Sequence, residues 1–246
     1  PAFQQLLHRG ILWAVGDERR ALLDALALPT LETEAVSLPG YRERKEITTA
    51  QKPLSPADSM KLAMVEPGMQ LSLFASEPDI VNPIHIGWDE RGRAFVIETI
   101  DYPNNLQQGD LGHDRITICE DTDGDGRADR FTRFADKLSI PTSLCFANGG
   151  VICTNGSDML FLKDTDGDDV ADRREPLFTG FPVGNTQHNI NGLTWGLDNW
   201  VYAANGGNHG SGHPAGAPDD AVSIRGMDFR FRPDTGELEV SYETTG

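Results

Sequence analysis

Asp121-Thr122-Asp123-Gly124-Asp125-Gly126-Arg127-Ala128-Asp129 returns 43 positions later as Asp164-Thr165-Asp166-Gly167-Asp168-Asp169-Val170-Ala171-Asp172. Carboxylates at alternate positions repel one another, and a bound Ca²⁺ turns that repulsion into coordination. In the first copy Asp121, Asp123 and Asp125 supply oxygens, and the Arg127 carbonyl and the Asp129 carboxylate complete the set. Asp164, Asp166 and Asp168, with the Val170 carbonyl and Asp172, match them in the second. Gly124 and Gly126 permit the tight turn. Asp169 stands where the first copy has Gly126, and Asp tolerates left-handed backbone better than most residues. The plain alternative is a solvated Asp/Gly turn without metal. Neither copy is an EF-hand: the twelfth position is Thr132 in the first, and in the second, where it is Glu175, the residues before the loop read as strand.

Each loop follows an apolar run, Ile116–Cys119 or Met159–Leu162, and leads into another short segment. A repeat of this length made of short strands predicts propeller blades. Hairpin patterns support it. Pro83–Trp88 and Arg93–Thr99 flank Asp89-Glu90-Arg91-Gly92, Ser143–Phe146 and Val151–Thr154 flank Asn148-Gly149-Gly150, and Leu193–Gly196 and Trp200–Ala203 flank Leu197-Asp198-Asn199. Trp88, Phe146 and Trp195 recur at equivalent places. A last hairpin, Ile224–Arg232 then Leu238–Tyr242, turns at Pro233-Asp234-Thr235-Gly236. The fold class read here is mainly β: about three blades of a six- or seven-bladed β-propeller, with a short α-helical N-terminal segment.

Upstream the pattern differs. Phe3, Leu6, Leu7, Ile11, Leu12 and Trp13 form a helical apolar stripe, and residues 21–28 a second apolar stretch. Residues 29–64 hold four prolines and little periodicity and read as a linker or arm. Within them Ser55-Pro56 starts a short helix to about Met64, with Ser55 as N-cap. Met69, Leu71 and Leu73 alternate as in a strand, and the propeller is placed at 65–246. The chain begins at Pro1 without an initiator Met and reads as an internal piece of a longer protein.

The 246 residues carry a net charge of −17, which argues against nucleic acid and against anionic membrane surfaces. No apolar run is long enough to span a membrane. Cys119, Cys145 and Cys153 form no CxxC or CxxCH pattern. A three-residue turn at 148–150 would set Cys145 opposite Cys153 and allow a disulfide; two buried thiols are the simpler reading.

Three stretches carry a resemblance: Glu77–Pro83 with Trp88–Arg93 and Glu98–Pro103, the DTDGDGRADR loop, and His188–Tyr202. Together they resemble the membrane-bound dehydrogenase domain of planctomycete and verrucomicrobial proteins, whose propeller is similar to the soluble quinoprotein glucose and sorbosone dehydrogenases. The resemblance implies a periplasmic or secreted oxidoreductase that oxidises a sugar or another alcohol. It implies pyrroloquinoline quinone (PQQ) as cofactor and a cytochrome as electron acceptor, with haem c on a C-terminal region that this chain lacks. His8–Ala14 resembles the closing helix of a trehalose-utilisation (ThuA-like) domain, assigned to residues 1–28.

By this resemblance His188, just before an inner strand, is the catalytic base, since an imidazole titrating near neutral pH suits proton abstraction. The bland reading makes it a hydrogen-bonder between blades. Gln187, Asn189 and Arg225 are the candidate cofactor contacts, with Asn191 a further polar neighbour. Glu98 and Asp101 are read either as channel carboxylates for a metal or sugar hydroxyls or as a solvated blade end. Asn205–His213 is read as a surface loop. Two rivals stand beside the dehydrogenase: a non-catalytic propeller binding glycans or another protein, and a calcium-dependent lactonase or esterase with a central metal on Glu98 and on Asn189 or Asn205.

Overall fold

The computed structural model describes residues 31–38, 47–103, 106, 107 and 109–243. The helical stripe at 3–15, the stretch 21–28 and the ThuA-like resemblance lie outside the described residues. The chain divides into two compact units, Pro1–Leu73 and Phe74–Gly246.

In the first unit the stretch read as a linker contains an antiparallel hairpin, β1 (Thr33–Leu38) with β2 (Ile47–Gln51). Helix α1 (Pro56–Met60) starts where the Ser-Pro pair predicts: Ser55 Oγ accepts from the Asp58 amide at 3.1 Å. The alternation at Met69–Leu73 forms no strand, and Met69 and Leu71 stay exposed. Alternation specifies a face, but a strand also needs a neighbour to take its backbone hydrogen bonds.

The second unit is three antiparallel meanders. The first is β3 (Pro83–Trp88), β4 (Ala94–Glu98), β5 (Asp114–Glu120) and β6 (Arg130–Leu138), hydrogen-bonded in that order. The second is β7 (Leu144–Ala147), β8 (Gly150–Asn155), β9 (Asp158–Lys163) and β10 (Arg173–Thr179). The third is β11 (Asn191–Trp195), β12 (Val201–Ala204), β15 (Met227–Phe231) and β16 (Leu238–Glu243). Between β12 and β15 the chain leaves its own sheet. It adds β13 (Ser211–Pro214) and β14 (Val222–Ser223) to the outer edge of the second blade, covering β10. Thus part of the loop read at 205–213 is sheet. The first strands β3, β7 and β11 lie side by side, as the inner strands of a partial β-propeller do.

The blades pack face to face through apolar residues. Phe95, Ile97, Ile116, Phe134, Leu144 and Leu160 fill the seam between the first and second blades. Ile152, Phe161, Phe178, Val201, Phe229 and Phe231 fill the next. Each fully buried phenylalanine contributes about 1.5–3 kcal/mol of transfer free energy. Spacing at the inner strands is set by a missing side chain: a Cβ on Gly87 would meet Leu144 Cδ1 at 2.8 Å.

The β7–β8 turn corrects the cysteine geometry. It is a two-residue turn with Asn148 at φ 51° and Gly149 at φ 70°, so Ala147 faces Gly150, Cys145 faces Ile152 and Cys153 faces Leu144. The one-residue change of register sends the two thiols to opposite faces of the sheet, Cys145 into one seam and Cys153 into the other. All three cysteines are free and buried, and burial pushes each thiol pKa up to about 12.

A meander reverses at every turn, so its connections fall at two ends. The first-to-second and third-to-fourth connections share one end, which holds both acidic loops. The second-to-third and blade-to-blade connections share the other, which holds His188.

Candidate functional site

At the acidic end the carboxylates converge as the repeat predicts. Ligand oxygens of Asp121, Asp123 and Asp125 lie within 4.8 Å of one another, and so do those of Asp164, Asp166 and Asp168. Asp121 is held by the amides of Gly126 at 2.8 Å and Gly124 at 2.7 Å, which keep its carboxyl below the usual carboxylate range. Asp164 is held the same way by Gly167 and Asp169. The negative charge of Asp168 raises the carboxyl pKa of Asp166, the direction that like charges this close impose. Asp129 and Asp172 stay outside these clusters. Asp129 accepts from the Thr122 hydroxyl at 2.9 and 2.8 Å, and Asp172 from the Thr165 hydroxyl and amide. Each therefore closes the base of its loop. Gly124 and Gly126 adopt φ of 79° and 88°, and Asp169 takes the left-handed conformation at φ 66°.

At the opposite end, Thr186–His188 forms a 3-10 turn capped by Asn185, whose Oδ1 accepts from the Gln187 amide at 3.1 Å. His188 is exposed, and its Nδ1 lies 2.6 Å from the Gly206 carbonyl oxygen. A carbonyl only accepts, so Nδ1 carries a proton, and in the neutral ring it is then Nε2 that keeps the lone pair. Asn208 Nδ2 donates to the His188 carbonyl at 2.8 Å. Asn205 donates from Nδ2 to the Ile224 and Met227 carbonyls and accepts from the Gly207 amide. Gly206 and Gly207 are required: a Cβ on Gly206 would meet the His188 carbonyl oxygen at 2.3 Å, and one on Gly207 the His188 Nδ1 at 3.2 Å. The first part of the supposed surface loop is therefore the brace of His188. The Asn-Gly-Gly-Asn run was the available signal, but it spells any tight turn equally well.

Around this brace, Gln187 is exposed and Asn189 is buried with neither Nδ2 nor Oδ1 hydrogen-bonded. Asn191 Nδ2 donates to the Asn189 carbonyl at 3.1 Å. Arg225 is exposed, and it follows Ile224, whose carbonyl Asn205 holds.

Glu98 does not point into open channel. It is fully buried, and Arg115 grips it in bidentate fashion at 2.8 and 2.7 Å, with the Thr117 hydroxyl and the Val81 amide completing its shell. Burial pushes its carboxyl up, but these donors together outweigh burial and hold it below the usual range. Asp101 is likewise occupied, accepting from His113 Nδ1 at 2.7 Å and from the His113 amide at 2.9 Å. With Glu98 and Asn205 both committed, the central metal of the lactonase reading keeps only Asn189 of its named ligands.

The chain belongs to the family described as "Domain of unknown function (DUF7133)", whose profile matches residues 55–246. No curated protein matches the chain. Among solved structures, the holo PQQ domain of pyranose dehydrogenase from Coprinopsis cinerea is similar at 14% identity and a TM-score of 0.42, over 63% of this chain and 34% of that one. A Trichoderma reesei carbohydrate-active enzyme of family AA12 is similar at 13% identity and a TM-score of 0.46, over 70% and 40%. This chain thus spans well under half the length of either. No helix among the described residues is long and apolar enough to cross a membrane.

Proposed function

We propose that this chain is part of a calcium-binding, quinoprotein-like dehydrogenase that oxidises a sugar or another alcohol, with His188 as the base. The observation that carries the reading is the His188–Gly206 hydrogen bond. It orients an exposed imidazole and leaves Nε2 free to take the proton of a substrate hydroxyl. Asn205 and Asn208 position this imidazole through the loop they hold; they are not themselves in the reaction.

Gln187, Asn189 and Arg225 are the residues that would hold a quinone. They suit such a ligand: Asn189 brings a buried amide with both polar atoms unpaired, and Arg225 an exposed cation for an anionic group. PQQ, when bound, supplies the two-electron acceptor. The Asp121/Asp123/Asp125 and Asp164/Asp166/Asp168 sets suit Ca²⁺, as hard oxygen donors whose mutual repulsion a cation relieves. They belong to the end opposite His188, so their role is to pin strand connections and not to touch substrate. In this reading electrons pass on to a haem c cytochrome partner, and the protein works in the periplasm or outside the cell.

The test uses the complete protein, loaded with Ca²⁺ and PQQ, and follows dye reduction over a panel of sugars and alcohols. Quinone-dependent reduction that falls by about 10²–10⁴ in His188→Gln supports the reading. No reduction by a folded, calcium-loaded protein refutes it and returns His188 to a structural role.

A further inference from the structure

A cleft of about 380 Å³ opens between the first and second blades, at the end that carries the acidic loops. Its floor is aromatic: Phe95 and Phe146 meet edge to face with ring centroids 5.1 Å apart. Its rim is polar, with Asp89 and Arg91 from the β3–β4 turn, Asn148 from the β7–β8 turn and Asp169 from the second acidic loop. Arg93 lies at the base, its guanidinium spent on Asp89 at 2.9 Å and Asp169 at 2.7 Å. Arg91 makes only long ion pairs with the same two residues, at 3.7 and 3.6 Å, beyond hydrogen-bond range, with its side chain 62% exposed. Exposed pairs this long hold it weakly, so its donors can turn to whatever occupies the cleft.

We propose that this cleft is a saccharide-binding site for a neutral pyranose ring. The volume falls at the lower end of small-molecule sites, roughly 300–1,000 Å³. An anion is disfavoured, because both guanidinium groups already face Asp89 and Asp169 and Glu90 adds a further negative charge. A cation finds Asp89 and Asp169 already neutralised by Arg93 and Arg91. A purely apolar ligand leaves the rim donors and acceptors that it buries unpaired. A neutral ring with one C–H face and a rim of hydroxyls satisfies both surfaces. Its C–H face rests on Phe146, its hydroxyl oxygens accept from Arg91 and from the Asn148 amide, and its hydroxyl hydrogens donate to the Asp169 carboxylate, more exposed than that of Asp89. The site is separate from the proposed base, since it occupies the other end of the blades.

The experiment is calorimetric titration with saturation-transfer NMR on the complete protein, using glucose, xylose and cellobiose, with inorganic phosphate as the anion control. Expected are saturation of ring C–H protons and an affinity that falls about tenfold in Arg91→Ala, the worth of one charged hydrogen bond. Phe146→Leu, which keeps an apolar floor, should weaken binding as well, and His188→Gln should leave the Arg91-dependent part of the binding unchanged. Thermal midpoints of both cleft variants close to the parent's establish that they fold. The proposal is overturned if none of the saccharides binds, if phosphate binds in their place, or if His188→Gln abolishes binding while Arg91→Ala leaves it intact. Failure of the dehydrogenase assay alone would not touch it.

Discussion

Arg93, at the turn of the first blade, donates from Nη1 to Oδ1 of Asp169 in the acidic loop of the second, at 2.7 Å. The pair explains why the two loops differ. Gly126 needs only its positive φ, whereas Asp169 takes the same left-handed backbone and adds a carboxylate that reaches the neighbouring blade. The second loop is thus an inter-blade contact as well as a candidate cation site.

Asp169→Gly makes the second loop read like the first at this position and removes the strain of a positive φ. It also leaves Arg93, 6% exposed at its side chain, with Asp89 as its one remaining ion-pair partner among the described residues. The loss of a partly buried charged contact should dominate, with a net destabilisation of about 2 kcal/mol. Urea unfolding of the two proteins measures it, and equal or greater stability in the glycine variant would show the bridge to be idle.

Glu98 predicts a direction with pH. Its native pKa lies below its unfolded value, so the unfolded chain takes the proton first as pH falls. Its stabilisation is fully present above the unfolded pKa of about 4.3 and is lost as pH drops through the lower native value. Asp114 runs the other way. Burial raises its carboxyl pKa, so its contribution improves over the same acid range. Glu98→Gln should therefore lower stability at neutral pH and flatten its fall below about pH 4, as read from thermal midpoints at stepped pH.

Gly206→Ala should displace the His188 turn, because the new methyl group meets the His188 and Asn189 carbonyl oxygens, at 2.3 and 2.6 Å, and not a movable side-chain end. The imidazole should then lose its Nδ1–H to Gly206 contact. Nitrogen NMR of the ring reads this directly: a fixed Nδ1–H tautomer in the parent and a mixture in the variant. An unchanged tautomer would mean that Gly206 does not orient the ring.

Calcium should bind at two sites per chain and stabilise the fold. A cation that binds only the folded state adds about 2.7 kcal/mol at one hundred times its dissociation constant. Chelation should lower the thermal midpoint, and Asp123→Asn should remove one site while leaving the other. A protein indifferent to chelator, with no heat on calcium addition, would leave both loops as solvated Asp turns.

The thiols give a simple check of register. Cys145 and Cys153 lie in different seams. A thiol reagent should therefore label none of the cysteines quickly in the native protein and all three after denaturation without reductant. Recovery of a single thiol would mean a disulfide and a different β7–β8 turn.

Much was legible in the chain before its fold was known. The Asp-Gly loops, the turn dipeptides and the alternating runs locate three meanders because each is a local signal: a turn chemistry, a period of two, a spacing of carboxylates. The convergence of Asp121, Asp123 and Asp125 is local too, since the loop's own amides hold it. What the residues could not announce is pairing across distance. The strand-like alternation at 69–73 finds no strand partner among the described residues, the β13–β14 excursion crosses to another blade, and Glu98 is claimed by Arg115 from the next strand. The brace on His188 depends on residues about twenty positions away, whose Asn and Gly composition suits any turn. The sequence by itself determined the blades and their acidic loops, because those follow from hydrogen bonds and sterics within a few residues. Only the tertiary structure decided which carboxylates are spent, which histidine nitrogen is free and which thiols are kept apart, because each of those depends on what another segment places within about 3 Å.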